Sequence, residues 1–337
     1  MKALITGITG QDGSYLAEFL LSRGYEVHGT VRLSSQDRCD RINHILHRIH
    51  LYPADLMDQL SLIQLIAKVR PEEIYNLACP SAADGGWRQP AMTAEAAGLG
   101  VIRLLEAIRL ADPTIRFFQA SASEMYGRPT EYPQTEKTPW GPVTPFGAAK
   151  LYAHIATAAY RDKYGLKACC GILFDHESPR RSRNHITRII TQAAAAVKLG
   201  LQEKLVVDTL AVRRDWGYAG DYVRAFWMML QHPTADDYVI ATGQLHDVED
   251  FCRAAFAAAD LDWRDHVEVQ PSADAVVETV PLLGDASRAR RKFLWEPEVS
   301  FEGMIKLMVE AELERLSPKH RLGTSADDRR SWQRSLA

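Results

Sequence analysis

Lys2-Ala3-Leu4-Ile5-Thr6-Gly7-Ile8-Thr9-Gly10-Gln11-Asp12-Gly13-Ser14 is the stretch that decides the fold. A short apolar run over Lys2–Thr6 predicts a strand, and three glycines at three-residue spacing follow it. Apolar residues then recur at three- and four-residue spacing through Ser14–Ser22, which predicts a helix. A glycine turn in that context lets backbone approach a pyrophosphate, while the helix offers free N–H groups and partial positive charge. Gly7, Thr9, Gly10, Gln11, Asp12 and Gly13 are therefore expected to hold a dinucleotide.

Working outward, short β-branched runs alternate with amphipathic stretches. Strands are expected at Glu26–Thr30, His50–Pro53, Glu73–Ala78, Arg116–Ala120 and Lys167–Phe174, and helices near Met57–Val69, Met92–Leu110 and Phe146–Tyr164. The pattern predicts an α/β, Rossmann-like, doubly wound parallel sheet with its ligand at the carboxyl ends of the strands. After Phe174 the alternation breaks at a basic loop, Ser178-Pro179-Arg180-Arg181. A helix with an Ile186, Ile189, Ile190, Ala193, Val197 stripe follows. Asp237–Thr242 reads as a further strand of the large sheet, so the chain returns to its first domain. The expected division is a dinucleotide-binding domain over 1–175 plus about 210–243, and a smaller, mixed α/β substrate domain over about 176–209 plus 244–316. A loose polar tail is expected over 317–337.

The end of the second strand separates the two nicotinamide cofactors, because a carboxylate there binds a free ribose hydroxyl and repels a 2′-phosphate. This chain has Arg32, Ser34 and Ser35 instead of an acid. That favours NADP(H) over NAD. Asp55 and Leu56, after the third strand, are placed to border the adenine. A net charge of -3 in 337 residues argues against nucleic acid or an anionic membrane as partner. The opening apolar run stops at Gly7, short of a signal peptide, and a cytoplasmic protein is expected. Five scattered cysteines lack metal or redox spacing and read as reduced core residues, with Cys79 alone near the expected site. No metal site is expected; His176 and His185 read as structural or phosphate-adjacent. Trp87, Trp140 and Trp216 are candidates for pocket walls or core plugs.

Thr6–Tyr15, Asn76-Leu77-Ala78, Gln119-Ala120-Ser121, Ser123-Glu124-Met125-Tyr126-Gly127, Gly147-Ala148-Ala149-Lys150, the stretch GILFDHESPRR over Gly171–Arg181, Arg214-Asp215-Trp216-Gly217 and Leu282–Asp285 carry a specific likeness. Together they resemble the GDP-mannose 4,6-dehydratase family of extended short-chain dehydrogenases/reductases, over roughly Lys2 to Leu316. The resemblance implies NADP-dependent oxidation of a nucleotide sugar at C4, loss of water across C5 and C6, and hydride return to C6. It implies cofactor contacts at Leu77, Ala78 and Lys150, a proton-moving carboxylate at Glu124, and substrate contacts at Ser81, Asp175, Glu177, Arg180, Arg181 and Arg214. It also implies a homodimer through Met92–Leu110 and Phe146–Tyr164, with a homotetramer open because Arg32–Arg38 resembles a segment that reaches a neighbouring subunit.

The chain departs from that pattern at four positions. Phe146 stands where the family's tyrosine would accept the C4 hydroxyl proton, and Ala122 where its threonine would sit. Ser123 and Tyr126 are the nearest substitute hydroxyls. Asp175 replaces an asparagine, and Ala275 an arginine that grips phosphate. Three readings stay open: a nucleotide-sugar dehydratase-like enzyme with altered catalytic groups, an epimerase or isomerase, and a non-catalytic NADP-binding paralogue.

Overall fold

The computed structural model describes residues 1–32, 39–79, 87–271 and 281–317. Seven strands form one sheet: β1 (Lys2–Thr6), β2 (Glu26–Val31), β3 (Ile49–Pro53), β4 (Glu73–Asn76), β5 (Arg116–Ala122), β6 (Ala168–Leu173) and β7 (Asp237–Ile240). Their order is β7-β6-β5-β4-β1-β2-β3 and every pairing is parallel. This is the expected doubly wound α/β architecture. Its topological switch lies between β1 and β4, where a crevice opens beyond the strand ends.

Both faces of the sheet are covered, which is why its strands read as continuous apolar runs. Ala3, Ile5, Tyr75 and Phe118 face a core supplied by α1 (Gln11–Ser22) and α6 (Ala219–Gln231) through Leu16, Leu20, Phe226 and Met229. The alternate residues Leu4, Ile74 and Phe117 face the opposite core. That core is built from α2 (Gln59–Val69), the Gly100–Ala111 segment of α3 (Pro90–Ala111) and α4 (Pro145–Tyr164). α3 is helical over Pro90–Ala94, widens to a π turn over Glu95–Leu99, and resumes over Gly100–Ala111. A separate core joins α5 (Ile186–Lys198), α7 (Val248–Ala258) and α9 (Phe301–Leu316) through Ile190, Ala194, Phe251, Phe256, Met304 and Met308. The remaining helix, α8 (Ser287–Phe293), lies against β7.

Several boundaries differ from expectation for local reasons. β4 stops at Asn76, because the N–H groups of Leu77 and Ala78 turn onto Thr6 Oγ1. β7 stops at Ile240, because the Thr242 and Gly243 N–H groups are taken by the buried Asp215 carboxylate. β5 runs on to Ala122, paired with Leu173. The expected α5 stripe is rotated: Ile186 and Ile189 are each 39% exposed, and the buried face is Thr187, Arg188, Ile190, Thr191 and Ala193–Ala196. Arg188 can occupy that face because Glu312 of α9 pairs with it. Among the described residues, no helix is long and apolar enough to cross a membrane. The expected tail lies outside the described residues from 318 on.

Candidate active site

The glycine turn packs backbone against backbone. Gly7 has φ +71, and a Cβ there would stand 2.9 Å from Ala78 backbone atoms. A Cβ on Gly13 would stand 2.3 Å from the Gly7 carbonyl oxygen. Only glycine lets strand, turn and helix close so tightly. Gly10 caps α1, its carbonyl accepting from the Ser14 N–H at 3.1 Å, and as a glycine it has no side chain to compete with an anion for the first-turn N–H groups. The turn is held from below by Thr6 Oγ1, which donates to Asn76 Oδ1 at 2.6 Å; Asn76 Nδ2 in turn donates to Gln119 Oε1 at 2.7 Å.

At the end of β5 stand Ala122 and a short 3₁₀ turn, Ser123–Met125. Lys150 reaches up from α4, buried, and its Nζ donates to the Ala120 carbonyl at 2.7 Å. The same Nζ lies 5.5 Å from the Phe146 ring centroid. Loss of water raises the Glu124 carboxyl above its ordinary range; Asp175 adds to the rise, and Lys150 and Arg214 oppose it. Burial likewise pushes the Cys79 thiol up, with Lys150 and Arg32 pulling down and Glu124 pushing up. Arg32 stands just past β2 and shares that electrostatic neighbourhood. Asp55 accepts from the Met57 N–H at 3.0 Å, and Leu56 packs against Gly100.

Tyr126, the nearest phenol to the site in sequence, turns its hydroxyl to a backbone partner. It is fully buried and its hydroxyl donates to the Thr135 carbonyl at 2.7 Å. It stacks on Trp140, and burial, reinforced by Glu136, pushes its phenol far above the tyrosine range. Ser123 is buried beside it.

The segment after β6 crosses the crevice. Asp175 lies 3.5 Å from Arg214. Glu177 is buried, accepting from Thr187 Oγ1 at 2.6 Å and pairing with Arg181 at 3.1 Å. Arg180 turns toward α1, bonding Ser14 Oγ at 3.1 Å and Glu18 at 2.5 Å, over the Tyr15 ring. Ser81 and Ala275 lie outside the described residues.

Residues 4–308 match the family of GDP-mannose 4,6 dehydratase. The chain belongs to the GDP-mannose 4,6-dehydratase family. It is 48% identical over 324 residues to GDP-mannose 4,6 dehydratase 2 of Arabidopsis thaliana, covering 93% of this chain and 87% of that protein. Against GDP-mannose 4,6-dehydratase of Yersinia enterocolitica identity is 43%, covering 93% and 94%. The fold is shared with a UDP-glucose 4-epimerase of Thermotoga maritima solved with UDP-glucose, at TM-score 0.81 and 24% identity over 94% of this chain and 100% of that one. It is also shared with RMD of Pseudomonas aeruginosa complexed with NADPH, at TM-score 0.79 and 20% identity over 94% and 99%.

Within this family member, sequence reasoning missed the partner of His176. Its Nε2 bonds Asp12 Oδ2 at 2.9 Å, across 164 residues. Trp216 is a core plug, packed on Phe251 and Phe301, whereas Trp87 is 74% exposed. One cluster has metal-ligand chemistry among the described residues: His154, Cys170 and Asp237, with ligand atoms within 4.8 Å of one another. The Asp237 carboxylate there is already held by Arg161 at 2.9 and 3.0 Å, so a guanidinium takes the place a cation would need.

Proposed function

We propose that this protein is an NADP(H)-dependent nucleotide-sugar modifying enzyme of dehydratase or epimerase chemistry, with altered catalytic groups. The observation that carries this reading is the cradle: Gly7, Gly10 and Gly13, close-packed through the turn and into the first turn of α1, in a chain matching the family over residues 4–308. These residues fit a dinucleotide. Gly7, Gly10 and Gly13 admit the pyrophosphate, Arg32 suits a 2′-phosphate, Leu77 and Ala78 border the nicotinamide side, and Lys150 would hold its ribose. A bound nicotinamide supplies reversible hydride acceptance at a sugar carbon.

The chain's own residues move protons. Glu124, its carboxyl raised by burial and by Asp175, is suited to exchange a proton at a carbon beside a sugar carbonyl. Phe146 and Ala122 cannot relay a hydroxyl proton, and Tyr126 is engaged elsewhere, so oxidation of a sugar alcohol proceeds without the positioned base. Arg214 and the 175–181 segment would meet the nucleotide diphosphate. The same missing hydroxyls favour a second reading, a paralogue that binds NADP(H) without turnover. Incubation with NADP⁺ and a panel of GDP-, UDP-, CDP- and dTDP-sugars, followed by NMR, is expected to yield a 4-keto product or a new epimer. Unchanged sugars alongside bound NADP(H) would overturn the enzyme reading in favour of the second.

A homodimer through α3 and α4 is part of this reading. Met92, Leu99, Tyr152 and Ile155 are exposed on those helices and offer an apolar face to a second copy.

A further inference from the structure

The hydrogen bonds of His176 define its charge. Nδ1 lies 2.7 Å from the Phe174 carbonyl oxygen, and Nε2 lies 2.9 Å from Asp12 Oδ2. Both partners only accept, so both ring nitrogens must donate, and only the imidazolium does so. The ring is buried and lies on the Tyr222 ring at 4.4 Å and 24°, a surface that favours a cation. Asp12 stands in the first turn of α1. An unbalanced carboxylate there would compete with a pyrophosphate for the same N–H groups and the same helix dipole.

We propose that His176 is a positioning residue of the dinucleotide site: as an imidazolium it cancels the Asp12 charge beside the cradle and fastens the glycine turn to the 174–181 segment. This rests on the dinucleotide reading above. The fastening has further strands. Gln11 Nε2 donates to the His176 carbonyl at 3.0 Å, and Ser178 Oγ donates to Gln11 Oε1 at 2.8 Å. Arg41 donates to the carbonyls of Thr9 at 3.3 Å and Arg180 at 2.7 Å. Nucleotide and substrate segments therefore share one partly buried ion pair.

The groups facing His176 are Asp12 from α1, Tyr222 from α6, and Arg181 and Glu177 from its own segment. Asp175, Asp215 and Asp221 stand around the Tyr222 side chain. Burial alone would push His176 down, but Asp12 outweighs it and the net direction is up. Burial would raise Asp12, and His176 holds it below the usual carboxylate range.

His176→Gln keeps a donor toward Asp12 and removes the charge. Calorimetric titration with NADPH is expected to show affinity about tenfold weaker, the scale of one uncompensated charge at a helix terminus. The double variant Asp12→Asn/His176→Gln is expected to recover most of that loss, because no carboxylate then faces the pyrophosphate. A double variant as weak as the single would make the loss one of packing and overturn the proposal. Nitrogen NMR of the wild-type imidazole at neutral pH reads the charge without any variant: both ring nitrogens protonated is the expected result, and a bare nitrogen would overturn it. If wild-type protein binds NADPH and His176→Gln binds it equally well, this inference alone falls. If the wild type binds no dinucleotide, the cofactor reading falls and takes this one with it.

Discussion

Phe146→Tyr should create the proton acceptor that this pocket lacks. Phe146 is the second residue of α4, is 8% exposed, and has its ring centroid 5.5 Å from Lys150 Nζ. With the ammonium over the ring, a phenolate oxygen there stands about 6 Å from it and gains about 3 kcal/mol at an effective dielectric of ~20. That corresponds to about two pKa units. Burial acts in the opposite direction: Tyr126, buried beside the Glu136 carboxylate, is pushed far up. The ammonium and the burial act in opposite directions, and the prediction is that Lys150 prevails and holds the new phenol below its ordinary range. A positioned base is worth ~10²–10⁴ in rate, so NADP⁺-dependent oxidation of a nucleotide sugar should rise by at least ~10². Single-turnover absorbance of the reduced nicotinamide, with NMR of the product, measures it. A variant that folds, binds NADPH like the parent and shows no gain, with or without Ala122→Thr, would refute the reasoning and put the difference in the substrate.

Gly13→Ala should abolish dinucleotide binding in a calorimetric titration, because its Cβ would stand 2.3 Å from the Gly7 carbonyl oxygen and 2.7 Å from Ile8 Cα, neither of which can move aside. Asp215→Ala removes the acceptor for the N–H groups of Thr242 and Gly243, both at 2.9 Å, and for Thr242 Oγ1 at 2.6 Å. Urea unfolding should show a loss of about 2–4 kcal/mol. The raised His176 contributes stability that is complete below the unfolded imidazole value of ~6.5 and is lost as pH climbs through the folded value. The lowered Asp12 contributes stability that is complete above ~3.9 and is lost as pH falls through its folded value. The melting temperature should therefore decline on an alkaline limb that His176→Gln flattens; identical limbs would count against the pair. Ile155→Glu, at a position 53% exposed on α4, should halve the mass seen by light scattering if the dimer forms through that face.

The parallel sheet was legible because its inner strands are buried on both faces, and Leu4, Ile5, Ile74 and Phe117 say so locally. The glycine turn was legible because Gly7, Gly10 and Gly13 are read together with the strand before and the helix after them. Strand ends were not, since β4 is cut by Thr6 and β7 by Asp215, both distant in sequence. The α5 face was misjudged because its buried side is set by small residues and by Arg188, whose charge is answered only by Glu312. Ion pairs across the fold leave no periodic trace, so the Asp12–His176 bond, and with it the charge state of the glycine turn, came from the structure alone. Tyr126 looked available in sequence; its hydroxyl is committed to Thr135, nine residues on.

The most direct measurement is a calorimetric titration of the purified protein with NADPH, NADP⁺, NADH and NAD⁺. Saturable binding at one dinucleotide per chain, tighter for the 2′-phosphorylated pair and lost in Gly13→Ala, is the predicted result. Binding of none of the four, or binding that Gly13→Ala leaves untouched, would contradict the account.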